Sequence, residues 1–260
     1  MSAKFPVYSI AKPFLAEAIL HLGIPLAHPI GNYLKNIAQI YASRTIASLL
    51  NHTSGLADYS FLTEYNEAVA KRETAWSRDE LLERCEKFPH SHEGFQYSNI
   101  GYLLLRMLLE QETNLSMFEA IKKLVLDPLS ITGFEEWDGE SDLVPGYDPK
   151  WVYSGTFVAT KESIESGFLA LAKHRASTIG LGTGLAEVPY PNTGFDSTGY
   201  SYGFMCDGNP EPKYVGHGGG GPGFSHMILV NTGNWKVAIE SSTTEFNQTE
   251  AIGRLKEKLS

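Results

Sequence analysis

The feature that most constrains this chain is a change of texture near residue 198. Before it, amphipathic runs such as "RDELLERCEKF" and "GYLLLRMLLEQ" alternate with breaker-rich loops, including "NHTSGLADYS" and "WDGESDLVPGYDP". Their apolar residues recur at helical spacing. After it come "GYSYGFMCDG", "KYVGHGGGG", "FSHMILVN" and "WKVAIESS", short β-rich runs separated by Gly, Pro and Asn. The last segment, "QTEAIGRLKEKL", returns to helical spacing through Ala251, Ile252, Leu255 and Leu259, an apolar stripe that would cover one sheet face. Helices and strands are segregated, so the expected class is α+β: a helical lobe over about 26–195 and a small antiparallel sheet with a C-terminal helix over about 196–260. No fixed-period repeat, low-complexity tract or flexible linker divides the 260 residues, and one domain over 1–260 is the simplest division.

A chain of this length buries a substantial core without disulfides. Its two cysteines, Cys85 and Cys206, exclude a disulfide framework or a cysteine-rich zinc site and read as free thiols. The net charge of −9 disfavours binding to a phosphate backbone, so no nucleic acid partner is expected. The strongest N-terminal apolar run, "FLAEAILHLGIPLA", contains Glu17 and His21, lacks a basic region ahead of it, and is too short and polar to span a membrane. The chain as it stands reads as soluble and cytoplasmic; a leader removed from the N-terminus would make it an exported one. Glycosylation-type triplets at Asn51, Asn114 and Asn247 are read as chance matches.

Three stretches carry chemistry. In "FPVYSIAKPFL", apolar residues from Phe14 to Leu22 recur at helical spacing and predict a helix over about 9–23 with one buried face. Pro13 is tolerated only near a helix N-terminus, so the helix starts close to Ser9. Lys12 then lies one turn on, on the same face, where an amine with a lowered pKa can take the serine proton. Backbone amides at the helix start can stabilise a developing oxyanion. In "FQYSNIGYLLL", Tyr97 can relay a proton and Asn99 can hydrogen-bond an amide; the plain alternative is a packed Tyr97 and a helix-capping Asn99. In "YVGHGGGGPGF", Gly216, Gly218 and Gly221 match G-x-G-x-x-G, but a strand-like run follows and Pro222 breaks any helix. A glycine-rich edge strand that pairs with a substrate backbone fits better than a dinucleotide site, with His217 beside the groove and able to change charge near physiological pH. His90, His92 and Glu93 in "HSHE" lack the H-E-x-x-H spacing, so no metal site is expected there.

Together these stretches resemble the serine β-lactamase-like, penicillin-recognising superfamily, which includes class C β-lactamases, D-Ala-D-Ala peptidases, D-aminopeptidases and related esterases. S-x-x-K stands at Ser9 and Lys12, Y-x-N at Tyr97 and Asn99, and H-x-G at His217 and Gly219, in that family's order. "ASLLNHTSGL", "VLDPLSITGF", "YSGTFVATKES" and "GHGGGGPGFS" are similar as well. The resemblance implies a β-lactamase/transpeptidase-like fold with Ser9 as acylated nucleophile, and Lys12 and Tyr97 managing its proton. It further implies that Asn99 binds the acyl amide, that His217 stands for the lysine of the commoner K-T-G motif and assists electrostatically, and that Ser9 and Gly220 amides form the oxyanion hole. Gly218 lacks that motif's hydroxyl, and Pro13 is unusual after the lysine. The sheet is expected to lack the family's usual N-terminal strands, supplied instead by a homo-oligomeric or other partner chain, by a segment outside this chain, or by local rearrangement. The implied activity is a serine hydrolase acting on amides or esters, leaning to peptides or amides of D-residues, with no metal or organic cofactor. The alternative is a non-catalytic binding module that keeps the fold.

Overall fold

Alternation in "FSHMILVN" sets how the layers pack. In a computed structural model of the chain, residues 3–88, 94–139 and 143–260 are described, and the strands are β1 (Lys4–Pro6), β2 (Phe134–Glu136), β3 (Phe157–Thr160), β4 (Ala186–Glu187), β5 (Gly199–Ser201), β6 (Phe204–Cys206), β7 (Tyr214–Gly221), β8 (Phe224–Asn231) and β9 (Lys236–Ser242). The stretch holding His90, His92 and Glu93 lies outside the described residues. Strands β4 to β9 form one antiparallel sheet in chain order. On β8, Met227 and Leu229 point to one face and pack with Ala251, Ile252, Leu255 and Leu259 of the C-terminal helix, while Ile228 and Val230 join the main core on the other. This is the cover inferred from the helix's stripe.

The helices are α1 (Ala11–His21), α2 (Gln39–Ala42), α3 (Ile46–Leu50), α4 (Thr63–Ala70), α5 (Arg78–Glu86), α6 (Asn99–Thr113), α7 (Met117–Ile121), α8 (Lys161–Thr178) and α9 (Gln248–Leu259). Several start on side chains suited to it: Thr45, Ser77, Ser98, Ser116, Thr160 and Asn247 each accept a hydrogen bond from an amide of the first turn. Asn114 ends α6 in the left-handed conformation. Among the described residues no helix is long and apolar enough to cross a membrane. Cys85 and Cys206 are both free and buried, as the composition indicates.

Two expectations need correction. The helix after Ser9 is not one-sided: every residue of α1 from Ala11 to Ile19 is buried, because sheet and helical layers close on it from all sides. The sheet starts earlier than expected, at Ala186, since the short β4 extends it beyond β5. The N-terminal strand β1 stands outside that sheet. Phe5 pairs with Ala159 and Pro6 with Val158, so β1, β3 and β2 make a separate three-stranded sheet. The segment is tied to the main sheet through His226, whose Nε2 donates to the Pro6 carbonyl at 3.1 Å and whose ring stacks on Phe5 with centroids 4.5 Å apart. On β9, at the end of the six-stranded order, the Ile239 amide donates to the Glu165 carboxylate of α8 at 3.0 Å, a side-chain substitute for a neighbouring strand.

The aromatic knot beneath α1 holds the layers together. Phe14 is fully buried, with ring centroids 5.4 Å from Phe134, 5.7 Å from Phe157 and 6.4 Å from Phe168. These partners come from β2, β3 and α8, so Phe14→Ala opens a cavity shared by three elements. The expected cost is about 3–5 kcal/mol of unfolding free energy, measured by urea denaturation.

Candidate active site

Immediately before Ser9 the chain adopts an uncommon shape. Tyr8 has φ of 48°, a left-handed conformation that side chains other than Gly, Asn and Asp rarely take. It is held at both ends: its amide donates to Thr156 Oγ1 at 2.9 Å and its hydroxyl to the Pro222 carbonyl at 2.6 Å. A 3-10 turn over Tyr8–Ile10 then leads into α1, so Ser9 stands just ahead of the α-helix, with Lys12 on its first turn. The turn packs directly against β7. A Cβ on Gly219 would collide with the Val7 carbonyl, so glycine there is what lets strand and turn approach. Gly220 is the opposite case, exposed, with Ser225 Oγ the nearest atom to an added Cβ at 3.8 Å.

Lys12 is 1 % exposed and lies beneath Ser9. Its Nζ donates to Ser9 Oγ at 2.9 Å, Asn99 Oδ1 at 2.7 Å and Ser154 Oγ at 3.3 Å. Burial disfavours the ammonium and lowers its pKa to about 7, against the opposing pull of the Asp58 carboxylate. Asp58 Oδ2 in turn accepts from the Asn99 amide at 2.6 Å and from its Nδ2 at 2.9 Å. That pairing orients the Asn99 side chain with its oxygen toward Lys12. The cap of α6 is Ser98, one residue before Asn99, so Asn99 is neither the cap nor a side chain free of internal partners.

The Tyr97 ring centroid is 5.3 Å from Lys12 Nζ, and Ser9 is near enough to oppose the upward shift of its phenol. Burial nevertheless pushes the phenol far up, so Tyr97 keeps its proton at neutral pH. His217 is 1 % exposed; its Nδ1 donates to the Gly218 carbonyl at 2.5 Å, which leaves Nε2 to accept from the Tyr200 hydroxyl at 2.9 Å. Burial, reinforced by Lys12, lowers its pKa to about 3. The expectation that His217 changes charge near physiological pH is therefore corrected: the imidazole is neutral there and contributes a fixed dipole.

The structure thus brings together every residue singled out in the sequence: Ser9, Lys12, Tyr97, Asn99, His217, Gly218, Gly219 and Gly220 surround one cleft or the amine beneath it. The sequence reading passed over Asp58, Ser154, Tyr200 and His52. Asp58 and Ser154 complete the surroundings of Lys12. His52 accepts from the Ser98 amide at 3.1 Å and packs between Tyr97 and Tyr200, with centroids 4.2 Å and 4.6 Å away. The stretches "ASLLNHTSGL" and "YSGTFVATKES", which contain His52 and Ser154, carry family likeness in the sequence but no spacing rule that assigns these side chains a role.

A cavity of about 550 Å³ opens on the β7 side of Ser9, and a smaller one of about 250 Å³ on the Tyr8 side. Phe95, Tyr190, Tyr200 and Phe246 line the first; Tyr59, Tyr65 and Tyr147 line the second. Among the described residues lining these two cavities none carries a charge.

A helical layer, an antiparallel sheet and a serine–lysine pair at their junction define the β-lactamase/transpeptidase-like class of serine hydrolases. Consistent with this, the model of the Beta-lactamase family matches residues 2–257, and the chain belongs to that family. It is similar to "Penicillin-binding protein 4*" of Bacillus subtilis (strain 168), with 25 % identity over 278 aligned positions covering 93 % of this chain and 61 % of that protein. It is also similar to a D-aminopeptidase of Brucella anthropi, with 29 % identity over 163 positions covering 56 % of this chain and 31 % of that one. The chain spans less than two thirds of the length of either relative. Among solved structures, the D-amino acid amidase from Ochrobactrum anthropi SV3 complexed with D-phenylalanine superposes with a TM-score of 0.78 at 17 % identity, covering 99 % of this chain and 93 % of that one.

The lowered pKa of Lys12 has a consequence for stability. Between about 7 and the ordinary 10.5, the unfolded chain binds a proton at this position that the folded chain has lost. Folding is therefore penalised in full below pH 7, and the penalty is relieved as pH rises through that window. Wild type should gain stability relative to Lys12→Met between pH 7 and about pH 9, as read from paired urea titrations.

Proposed function

We propose that the protein is a serine hydrolase that forms an acyl-enzyme at Ser9 with amide or ester substrates. The observation that carries this reading is the contact of Lys12 Nζ with Ser9 Oγ at 2.9 Å, made by a buried amine whose pKa is about 7. Close to half of such lysines are neutral at pH 7, and a neutral amine can accept the serine proton as Oγ attacks the substrate carbonyl. Tyr97, which keeps its own proton, is less suited to be the base and better suited to pass a proton to the leaving group. This reading favours Lys12 for the acylation step. Developing negative charge on the carbonyl oxygen would fall to the amides of Ser9 and Gly220, and the open space at Gly220 is compatible with a substrate approaching there. Asn99 contributes by orienting Lys12, and its remaining hydrogen-bonding capacity faces the acyl amide. Gly218 and Gly219 offer backbone to a substrate lying along β7. Neutral His217 holds the β7 and Tyr200 side of the cleft in place. Water then releases the acyl group with the same residues acting in reverse.

The lining of the two cavities narrows the substrate. A free carboxylate next to the scissile bond needs a cation or a hydroxyl to receive it, and among the described lining residues there is no lysine or arginine, while Gly218 has no hydroxyl. Aromatic walls and neutral polar groups fit apolar side chains and a scissile amide with no carboxylate beside it. This favours D-amino-acid amides or aminopeptidase-type substrates over C-terminal carboxylates, in line with the D-aminopeptidase relative, and leaves simple esters as incidental substrates. For the partner, assembly with a second copy is tested by sedimentation at two concentrations, and a monomer at both rejects it.

Intact-protein mass after incubation with an activated aryl ester and with a penicillin should show an adduct on wild type and none on Ser9→Ala. Lys12→Ala should slow adduct formation by about 10²–10⁴-fold. The wild-type rate should rise about tenfold per pH unit up to a bend near the Lys12 pKa of about 7 and flatten above it. No adduct with either reagent would shift the assignment to a non-catalytic binding module. Faster turnover of a D-alanyl peptide with a free carboxylate than of D-phenylalanine amide would reject the substrate class.

A further inference from the structure

Away from the cleft, on the last turns of α1, three metal-ligating side chains converge. Glu17 and His21 are four residues apart on that helix, and His174 reaches them from α8. One ligand atom of each lies within 4.8 Å of the others. Glu17 Oε1 is 3.6 Å from His21 Nδ1 and 3.4 Å from His174 Nε2. Both distances are too long for good hydrogen bonds. They are close to what a zinc ion imposes: ligands about 2.0–2.1 Å from a tetrahedral centre lie about 3.4 Å from each other.

The surroundings fit such an ion. The Glu17 side chain is 4 % exposed, and its other oxygen, Oε2, is held by Arg175 Nε at 2.6 Å, which fixes the carboxylate with Oε1 toward the two imidazoles. A partner of this kind on the second oxygen is how ligating carboxylates are commonly oriented. Because the Arg175 guanidinium balances the Glu17 charge, affinity must come largely from the imidazoles, which favours zinc and other borderline transition ions over magnesium or calcium. The His21 and His174 side chains are 35 % and 25 % exposed, so an ion can reach them from solvent. Their rings already face each other, with centroids 5.7 Å apart and planes at 23°. His21 Nδ1 now bonds back to the Glu17 carbonyl at 3.0 Å, and metal would replace that bond while Nε2 carries the ring proton.

We propose that Glu17, His21 and His174 form a binding site for a divalent zinc-like ion that ties the end of α1 to α8, with one coordination position left to water. At 1.5 Å per residue the ion, between Glu17 and His21, would sit about 15 Å along the helix axis from Ser9. It would act on the anchoring of α1 rather than on the reacting atoms.

Zinc titration against a chromophoric chelator tests this on the full chain. Wild type should bind one equivalent, and zinc should raise its melting temperature. His21→Gln and His174→Gln should each weaken binding by at least about tenfold, since removing a ligand costs no less than removing the group that orients it. The double substitution should abolish the zinc-dependent rise in melting temperature while leaving the zinc-free circular dichroism unchanged, because both side chains are partly exposed. Cobalt(II) should give visible absorption bands on wild type that the double variant lacks, a readout independent of stability and of hydrolysis. No stoichiometric zinc on wild type, or zinc bound equally well by the double variant, would overturn the site.

Discussion

A lysine amine taken out of water organises this molecule. Lys12 is buried on a helix that is itself buried on every side, and a group of that kind is tolerated only with hydrogen-bonding partners around it. Those partners come from three parts of the chain: Ser9 one turn away, Asn99 at the start of α6, and Ser154 in the loop before β3. Asp58 then fixes Asn99 and adds a carboxylate felt by the amine. The balance between desolvation and this carboxylate leaves the pKa near neutrality, where proton transfer in either direction is easy. A fully paired lysine would keep its charge and could not take a proton; one with no partners would lose it at a stability cost and gain no acceptor for the return step.

The rest of the architecture can be understood as holding that amine under an exposed serine. Phe14 and its aromatic neighbours pin α1 between two sheets, and the left-handed Tyr8 turns the chain sharply so that Ser9 emerges at the cleft. Glycines in β7 let a strand lie directly on that turn. In most proteins such a run of glycines would weaken a sheet. Here the β7–β8 pairing extends over eight residue pairs from Tyr214–Asn231 to Gly221–Phe224, and a Pro222–Gly223 corner closes it, so register does not depend on the glycines.

Local rules made some of this readable. Pro13 and the spacing of Ser9 and Lys12 depend on helix geometry alone, and so do the stripe of α9 and the alternation of β8; each is present in the structure. The same rules failed where burial came from more than one side. The pattern of α1 looks one-sided because Lys12 and Glu17 interrupt it, yet both are buried on internal partners that lie far away in sequence. His217 was read as a titrating histidine because its exposure is not encoded by its neighbours; packing against Tyr200 and closing onto Gly218 make it a neutral dipole. The short strand β4 and the pairing of β1 with β3 are fixed by contacts across more than a hundred residues or by segments too short to show a period.

What the sequence by itself determined is the identity and order of the chemical groups and the α+β class, because both follow from residue type and short-range periodicity. Only the tertiary structure decided their protonation, since a pKa is set by desolvation and by charges brought near from elsewhere in the chain. Tertiary structure alone also placed Asp58 and Ser154 around Lys12 and set His174 beside Glu17 and His21, because no local spacing links residues that meet only when separate helices pack.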